Sequence, residues 1–459
     1  MFSFSAPLLH ASREILPWVD PGSRLRAWCA RPGAAALVSD GGPQGRFSYL
    51  LGDADARADL GASDDIAGFL KAATAFVTTD DASGPPPFSG GLIGVAGFEL
   101  GLRLEHLPAA PFRIKGGRVW PDLMVRRYPG ALAFDHHDRV LSVIGRGPTP
   151  DDATAARDRL KALWQATEIL PAPAGALADA PLRLETPDPV HEDKVAAVVS
   201  QIHAGDLFQA NLARGWTGRL RADRTPADVM AALQAAGAAP FGAYIDLGDN
   251  RVLVSNSPER FIRLDADGAL ETRPIKGTRP RGRTADEDST LANELLASAK
   301  DRAENLMIVD LMRHDLAKVA RFGSVAVPTL HALESYSNVH HLVSTVTASL
   351  AAGRTAADVL VATLPPGSVS GAPKVQAMKV IAAMEAARGP YCGALFAIDA
   401  GGAMDSSVLI RTIALENGAE GWNLRAAAGG GIVADSDPRE ERIETETKLS
   451  LIRKVLEGA

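Results

Sequence analysis

Hydrophobic and polar positions change their rhythm along the chain. Residues 1 to about 165 alternate short apolar runs of strand character, such as 35–38 and 132–134, with Gly and Pro punctuation and alanine-rich stretches of helical period. Across 166–189 the period fades while Ala and Pro accumulate, the composition of a connector. A boundary near residue 180 follows, with an N-terminal domain at 1–180 and a second domain at 181–459.

The second part carries the sharper pattern. An amphipathic helix over 190–203 leads into an extended run, 205–212, that places Gln209 and Asn211 on one face, where they either line a polar pocket or satisfy a sheet edge. A strand at 251–256 breaks at Ser257-Pro258-Glu259-Arg260 and resumes at 261–264. The turn Asp265-Ala266-Asp267-Gly268 returns the chain toward Pro274-Ile275-Lys276-Gly277-Thr278, so Glu259 and Lys276 are expected at the same end of neighbouring strands. Pro274 fixes the backbone before the lysine, and Gly277 permits close approach after it. Further strands are expected at 391–396 and 407–413, and long helices at 301–312 and 438–456. The first of these helices is apolar on most sides and reads as largely buried.

Several polar side chains stand inside these apolar settings. Glu304 heads a stripe through Met307, Ile308 and Leu311, where an ionised carboxylate needs a cation, a donor or a shifted pKa. Glu444 and Lys448 lie four apart on the helix capped by Asp437 and form either a surface pair or, in line with Leu451 and Val455, an inward-facing one. Arg411, flanked by Val, Leu and Ile, calls for a carboxylate or phosphate partner, either a ligand or an internal Asp or Glu. Gly429-Gly430-Gly431 offers bare amides, an anion cradle or a turn before a strand. Glu259, at its strand break, is well placed to exchange a proton if the turn faces a cavity.

Composition narrows the classes. With 459 residues, 46% hydrophobic, 22% charged and a formal net charge of −7, the chain has the balance of a mildly acidic globular protein, which argues against nucleic acid as a partner. Met1 to Trp18 lacks a basic segment followed by a long apolar run, and no run of about eighteen apolar residues occurs, so a cytoplasmic, non-membrane protein is expected. Cys29 and Cys392 are too few for a disulfide framework and are not spaced as zinc ligands. The glycines of 90–97 lack the GxGxxG spacing and a following lysine, which favours close strand packing, and His136-His137 reads as part of a solvated turn.

In order from Gly205 to Leu449, the motifs GDLFQANL, SPERF, PIKGT, DRAENLMIVDLMRHD, HLVS, GSVSGAPK, IRT and GGGIVADSDPREE resemble the chorismate-utilising enzymes. Within that family the resemblance is to the aminodeoxychorismate synthase component I branch, a sister of anthranilate synthase component I. The N-terminal half matches more loosely and lacks aromatic residues at 94–97. The resemblance implies an α+β fold, an antiparallel β-sandwich with outer helices, and an active site in the C-terminal portion. It implies that Glu304 and Glu444 hold Mg²⁺ against the ring carboxylate of chorismate. Arg411, the amides of Gly429 and Gly431, and Lys448 would bind substrate carboxylates, with Tyr391 nearby. Glu259, helped by His341 and Ser368, would protonate the departing C4 hydroxyl while Lys276 attacks C2, and ammonia entering at C4 would displace the lysine.

Two positions discriminate among relatives. Anthranilate synthases carry alanine where Lys276 stands, and isochorismate and salicylate synthases carry a water-activating lysine where Gln209 stands. The resemblance therefore implies ammonia as nucleophile and 4-amino-4-deoxychorismate as product, on the route to 4-aminobenzoate and folate. Neither cysteine sits in a glutaminase-like setting, which implies a separate glutamine amidotransferase subunit. The alternatives are an anthranilate synthase component I, giving anthranilate and pyruvate, and a non-catalytic chorismate-binding subunit.

Overall fold

The computed structural model describes Phe4 and residues 7–77, 86–336 and 339–458; residues 1–3, 5 and 6 of the N-terminal stretch considered above lie outside it. Two sheets of antiparallel neighbours, one of twelve strands and one of ten, carry the chain. They stack face to face through an apolar cluster that joins Ala35, Tyr49 and Leu51 of the larger sheet to Ile93, Val95, Leu395 and Ala397 of the smaller. Helices cover the outer faces, each burying one apolar stripe. Leu160 and Trp164 of the helix Pro150–Ala166 and Leu449 and Ile452 of the helix Pro438–Glu457 pack on the larger sheet. Ile308, Val309 and Met312 of Ala299–Ala317 pack on the smaller, and Ala377 and Val380 of Lys374–Met384 pack against Ala210 and Leu212 of the larger.

Strands from either side of residue 180 pair with one another in both sheets. Ala35–Val38 pairs with Phe241–Gly248, and Gly91–Ala96 with Ala394–Asp399. At the second pairing a Cβ on Gly94 would stand 2.0 Å from the Phe396 ring, so this glycine makes room for an aromatic side chain across the strand pair. His136 is half-buried and hydrogen-bonds the Ser48 hydroxyl at 2.7 Å, while His137 is exposed. Among the described residues, no helix is long and apolar enough to cross a membrane.

Three expectations change. Residues 407–413 are not one strand: Met404–Val408 ends in the smaller sheet, Thr412–Gly418 begins in the larger, and the chain crosses at 409–411 with Arg411 at a φ of 50°. Both halves are buried, so the crossing leaves no break in hydropathy. Tyr391 and Cys392 occupy a tight turn ahead of the strand Ala394–Asp399; Gly393 N donates to Pro390 O at 3.0 Å and Cys392 takes a φ of 63°. The helix Ala299–Ala317 is not largely buried: it buries one stripe through Asn305, Ile308, Val309, Met312 and Leu316 and leaves Leu306 45% exposed.

Candidate active site

Two sheet crossings lie side by side. Arg251–Ser257 pairs with Thr412–Gly418 in the larger sheet, and Arg260–Leu264 pairs with Met404–Val408 in the smaller. Backbone bonds stitch the crossing points together: Val408 N donates to Glu259 O at 3.1 Å and Asn256 N to Arg411 O at 3.0 Å. Glu259 and Arg411 are thus held where the chain passes between the sheets. Burial pushes the Glu259 carboxyl up to about 7, against the opposing pull of a Ser368 hydrogen bond and the charges of Lys276 and Lys448. Arg411 is largely enclosed, burial lowers its pKa, and among the described residues no carboxylate forms an ion pair with it. A guanidinium enclosed without a protein counter-ion favours an external anion over a structural ion pair.

Lys276 reaches the same place by a hairpin. Arg263 stands opposite Glu271 and Leu264 opposite Leu270, and Thr272 Oγ1 donates to Phe261 O at 2.6 Å, so the returning strand runs back to the level of Glu259. The next strand, Ile275–Pro280, pairs with Val339–Ser349 through a register shift between Ile275 and Thr278, which puts Lys276 and Gly277 in a bulge. A bulge redirects a side chain out of the alternating pattern. Gly277 is required here, because its φ is 81° and a Cβ would stand 2.8 Å from Leu295 Cδ1 and 2.9 Å from Asp301 Cγ. The Lys276 charge acts on Glu259, Glu304 and Glu444 alike.

The two acidic helices close the other side. Buried Asn305 ties its helix to the adjoining strands by donating to Pro274 O and Leu342 O, each at 3.5 Å, and by accepting from the Ser344 hydroxyl. That fixes Glu304 one residue before it. Burial raises the Glu304 pKa, the charges of Asp301 and Glu444 add to this, and Lys276 and Lys300 oppose it. Glu444 pairs with Lys448 at 2.6 Å, and the two side chains are 50% and 43% exposed, so they border an open recess and are not packed inward. Burial works against ionisation of Glu444, but the charge and hydrogen bond of Lys448, with Lys276 behind them, hold its pKa below the usual carboxylate value. The core face of this helix is instead Glu441, Thr445, Leu449 and Ile452.

Glu441 has no counterpart in the sequence reading. It accepts from Ser436 Oγ at 2.6 Å, its Oε2 is buried without a partner, and its pKa is raised by burial and then by Glu444. Its spacing of three from Glu444 was the available signal. Among the described residues, no group of three or more His, Cys, Asp or Glu side chains is placed to hold a metal ion. The mutual repulsion of Glu304 and Glu444 and their oxygen-only chemistry do fit a hard divalent cation, provided substrate and water supply the remaining ligands.

The glycine run follows from strand register. Asn211 lies opposite Gly431 and Ala213 opposite Gly429, yet Asn211 N donates to Ser370 O at 2.8 Å and Ala213 N to Glu385 Oε1 at 2.7 Å, both away from the glycine strand. In an antiparallel ladder their partners also turn N–H and C=O outward. The neighbour on that outer edge, Thr412–Gly418, pairs only as far as Ile413 with Ala426, so Gly429 and Gly431 face an open edge next to Arg411. Lys448 Nζ donates to Gly429 O there at 2.9 Å. Beneath the glycines, Gln209 is fully buried with neither amide atom partnered, and Asn211 Oδ1 is also unpartnered. The remaining residues lie alongside. His341 bonds Thr278 Oγ1 at 2.9 Å and is pushed down to about 4, first by burial and then by Arg411, so it is neutral near pH 7. Burial drives the Tyr391 phenol well up.

Residues 34–454 match the sequence model of the chorismate binding enzyme family, which spans both halves of the chain. The chain belongs to the chorismate-binding enzyme family. The enzyme is 42% identical over 373 residues to aminodeoxychorismate synthase component 1 of Klebsiella aerogenes, a match covering 81% of this chain and 78% of that one. It is 39% identical over 380 residues to anthranilate synthase component 1 of Thermus thermophilus, covering 82% and 79%. The solved anthranilate synthase component I from Streptococcus pneumoniae superposes with a TM-score of 0.74 at 28% identity, covering 88% of this chain and 92% of that one.

Proposed function

We propose that this chorismate-utilising enzyme aminates chorismate at C4 with ammonia to give 4-amino-4-deoxychorismate, through a covalent adduct on Lys276. The observation that carries the reading is the convergence on Lys276: a lysine in a bulge whose charge acts on the proton donor Glu259 and on both candidate metal ligands, Glu304 and Glu444. The named aminodeoxychorismate synthase relatives support it.

Substrate binding uses anion partners that the fold leaves open. Arg411 and the outward amides of Gly429 and Gly431 receive one carboxylate, and Lys448 steers the other. Mg²⁺ bound by Glu304 and Glu444 would neutralise the ring carboxylate. Glu259, with Ser368 in hydrogen-bonding reach, gives its proton to the C4 oxygen, which leaves as water while the Lys276 amine forms a bond to C2. Neutral His341 helps position the leaving group. Ammonia then bonds at C4, the C2–N bond breaks, and the enolpyruvyl group stays in place. Gln209, with both amide atoms unpartnered, and the unpartnered Oδ1 of Asn211 would receive the incoming ammonia in place of a water-activating base. Ammonia in this reading comes from a separate glutamine amidotransferase subunit, consistent with relatives named as component 1.

The second reading is anthranilate synthase, favoured by the Thermus relative. Incubating the purified enzyme with chorismate, Mg²⁺ and ammonium salt separates the two. An aminated product retaining its enolpyruvyl group is expected, and pyruvate release without an added lyase would overturn the assignment.

A further inference from the structure

Two buried cations grip the turn that carries Ser368. At its start, Lys374 Nζ pairs with Asp315 and donates to Thr363 O at 2.8 Å and to Pro365 O at 3.0 Å. At its end, Arg388, 2% exposed, donates from Nη1 to Val369 O at 3.2 Å and from Nη2 to Asn211 O at 2.6 Å. Its orientation is locked: Nε and Nη2 hold Glu385 at 2.8 and 3.0 Å, and the guanidinium lies 4.5 Å from the Phe98 ring centroid. Glu385 also accepts from Ala213 N at 2.7 Å, and Glu99 accepts the N–H groups of Arg388 and Gly389 at 2.7 and 2.9 Å.

This fork is committed to protein acceptors, so Arg388 is not a substrate anchor. It joins the carbonyl next to Ser368 to the strand that carries Gln209 and Asn211. Beyond Ser370 the chain is anchored to that strand as well, by Asn211 N to Ser370 O at 2.8 Å and by the pairing of Gly371 and Ala372 with Ala210 and Gln209, and Arg388 extends this hold to Val369 O, the carbonyl adjoining Ser368. We propose that Arg388 is a positioning residue that fixes the Ser368 hydroxyl against the Glu259 carboxyl and so sets the proton donor. The inference rests on Glu259 acting as that donor. A lysine keeps the charge but, as a point donor, cannot span both carbonyls and Glu385.

The test compares Arg388→Lys, Ser368→Ala and the double variant with wild type. The charged groups acting on Glu259, Lys276 and Lys448, and the Cys392 thiol beside it are unaltered in all of them. Arg388→Lys is expected to lower kcat roughly 10- to 100-fold with KM changed less than about threefold. It is also expected to move the alkaline limb of kcat/KM upward, because the Ser368 hydrogen bond favours the ionised carboxyl and is lost. Ser368→Ala should move the limb the same way, and the double variant no further.

An unmoved limb in Arg388→Lys, or full additivity with Ser368→Ala, overturns the inference. Should Arg388→Lys fail to fold by circular dichroism, Glu385→Gln, which keeps the arginine but unlocks it, is judged by the same criteria. A reading without turnover comes from stability. The pH at which the difference in thermal midpoint between a protein and its Glu259→Gln derivative stops growing reports the Glu259 ionisation in the folded state, and Arg388→Lys must raise it. An inactive wild type would sink the functional assignment while this measurement still decides the role of Arg388.

Discussion

Replacing Glu259 by glutamine should cost activity and add stability, and the two effects have different pH dependences. Burial moves this carboxyl from an ordinary 4.5 to about 7. At roughly 1.4 kcal/mol per pH unit the gap corresponds to about 3 kcal/mol. Because the folded value is raised, the unfolded chain loses its proton first as pH climbs from about 4.5 to about 7. Stability falls through that window, and the full penalty is present above it. Glutamine keeps the shape and cannot ionise. Glu259→Gln should therefore match wild type near pH 4 and exceed it near pH 8 by up to about 3 kcal/mol in denaturant titrations. Glu99 is also pushed up to about 7 by burial, but it is common to both proteins and cancels in the difference. Over the same range kcat/KM of wild type should fall above about pH 7. The variant should lose about 10² to 10⁴ in rate. A stability difference that does not vary with pH, or a wild-type profile with no descending limb near 7, would refute the placement of Glu259 in a desolvated site.

The metal and the bulge give further expectations. Glu304→Ala should shift the Mg²⁺ titration of activity to higher concentration by at least the roughly tenfold typical of losing even an outer ligand partner, and an unchanged titration would contradict the assignment. Gly277→Ala, which puts a Cβ within 3 Å of Leu295 and Asp301 at a φ of 81°, should destabilise by about 1–3 kcal/mol in thermal or denaturant unfolding. If stability is unaffected, the bulge does not depend on close approach at that residue.

The general architecture could be read from motif order, and several local features could be read from chemistry. The break at Glu259, the turn that returns to Lys276 and the lone Arg411 were visible because a proline, an Asp-Gly turn and a guanidinium in an apolar run leave strong local signals. The sheet crossing at 409–411 was not, since strands in both sheets are buried and equally apolar there. The inward orientation of Glu441 and the half-open setting of Glu444 and Lys448 differ by less than one helical turn, and only packing against the glycine strand decides which faces in. The outward amides of Gly429 and Gly431 depend on where Asn211 and Ala213 send their own N–H groups, a property of register between residues more than 200 apart in sequence. Arg388 gave no sequence signal, because it resembles any arginine near a helix end until its four acceptors are seen together.

The central claim is that the Lys276 amine bonds to the substrate. Intact-mass and peptide mass spectrometry of the wild type, quenched during turnover with chorismate and Mg²⁺ at limiting ammonia, tests it directly. An adduct of one chorismate less one water on the peptide containing Lys276, absent from a folded Lys276→Ala variant, is the expected result. Turnover of wild type with no adduct at any ammonia concentration, or amination persisting in Lys276→Ala, would contradict it.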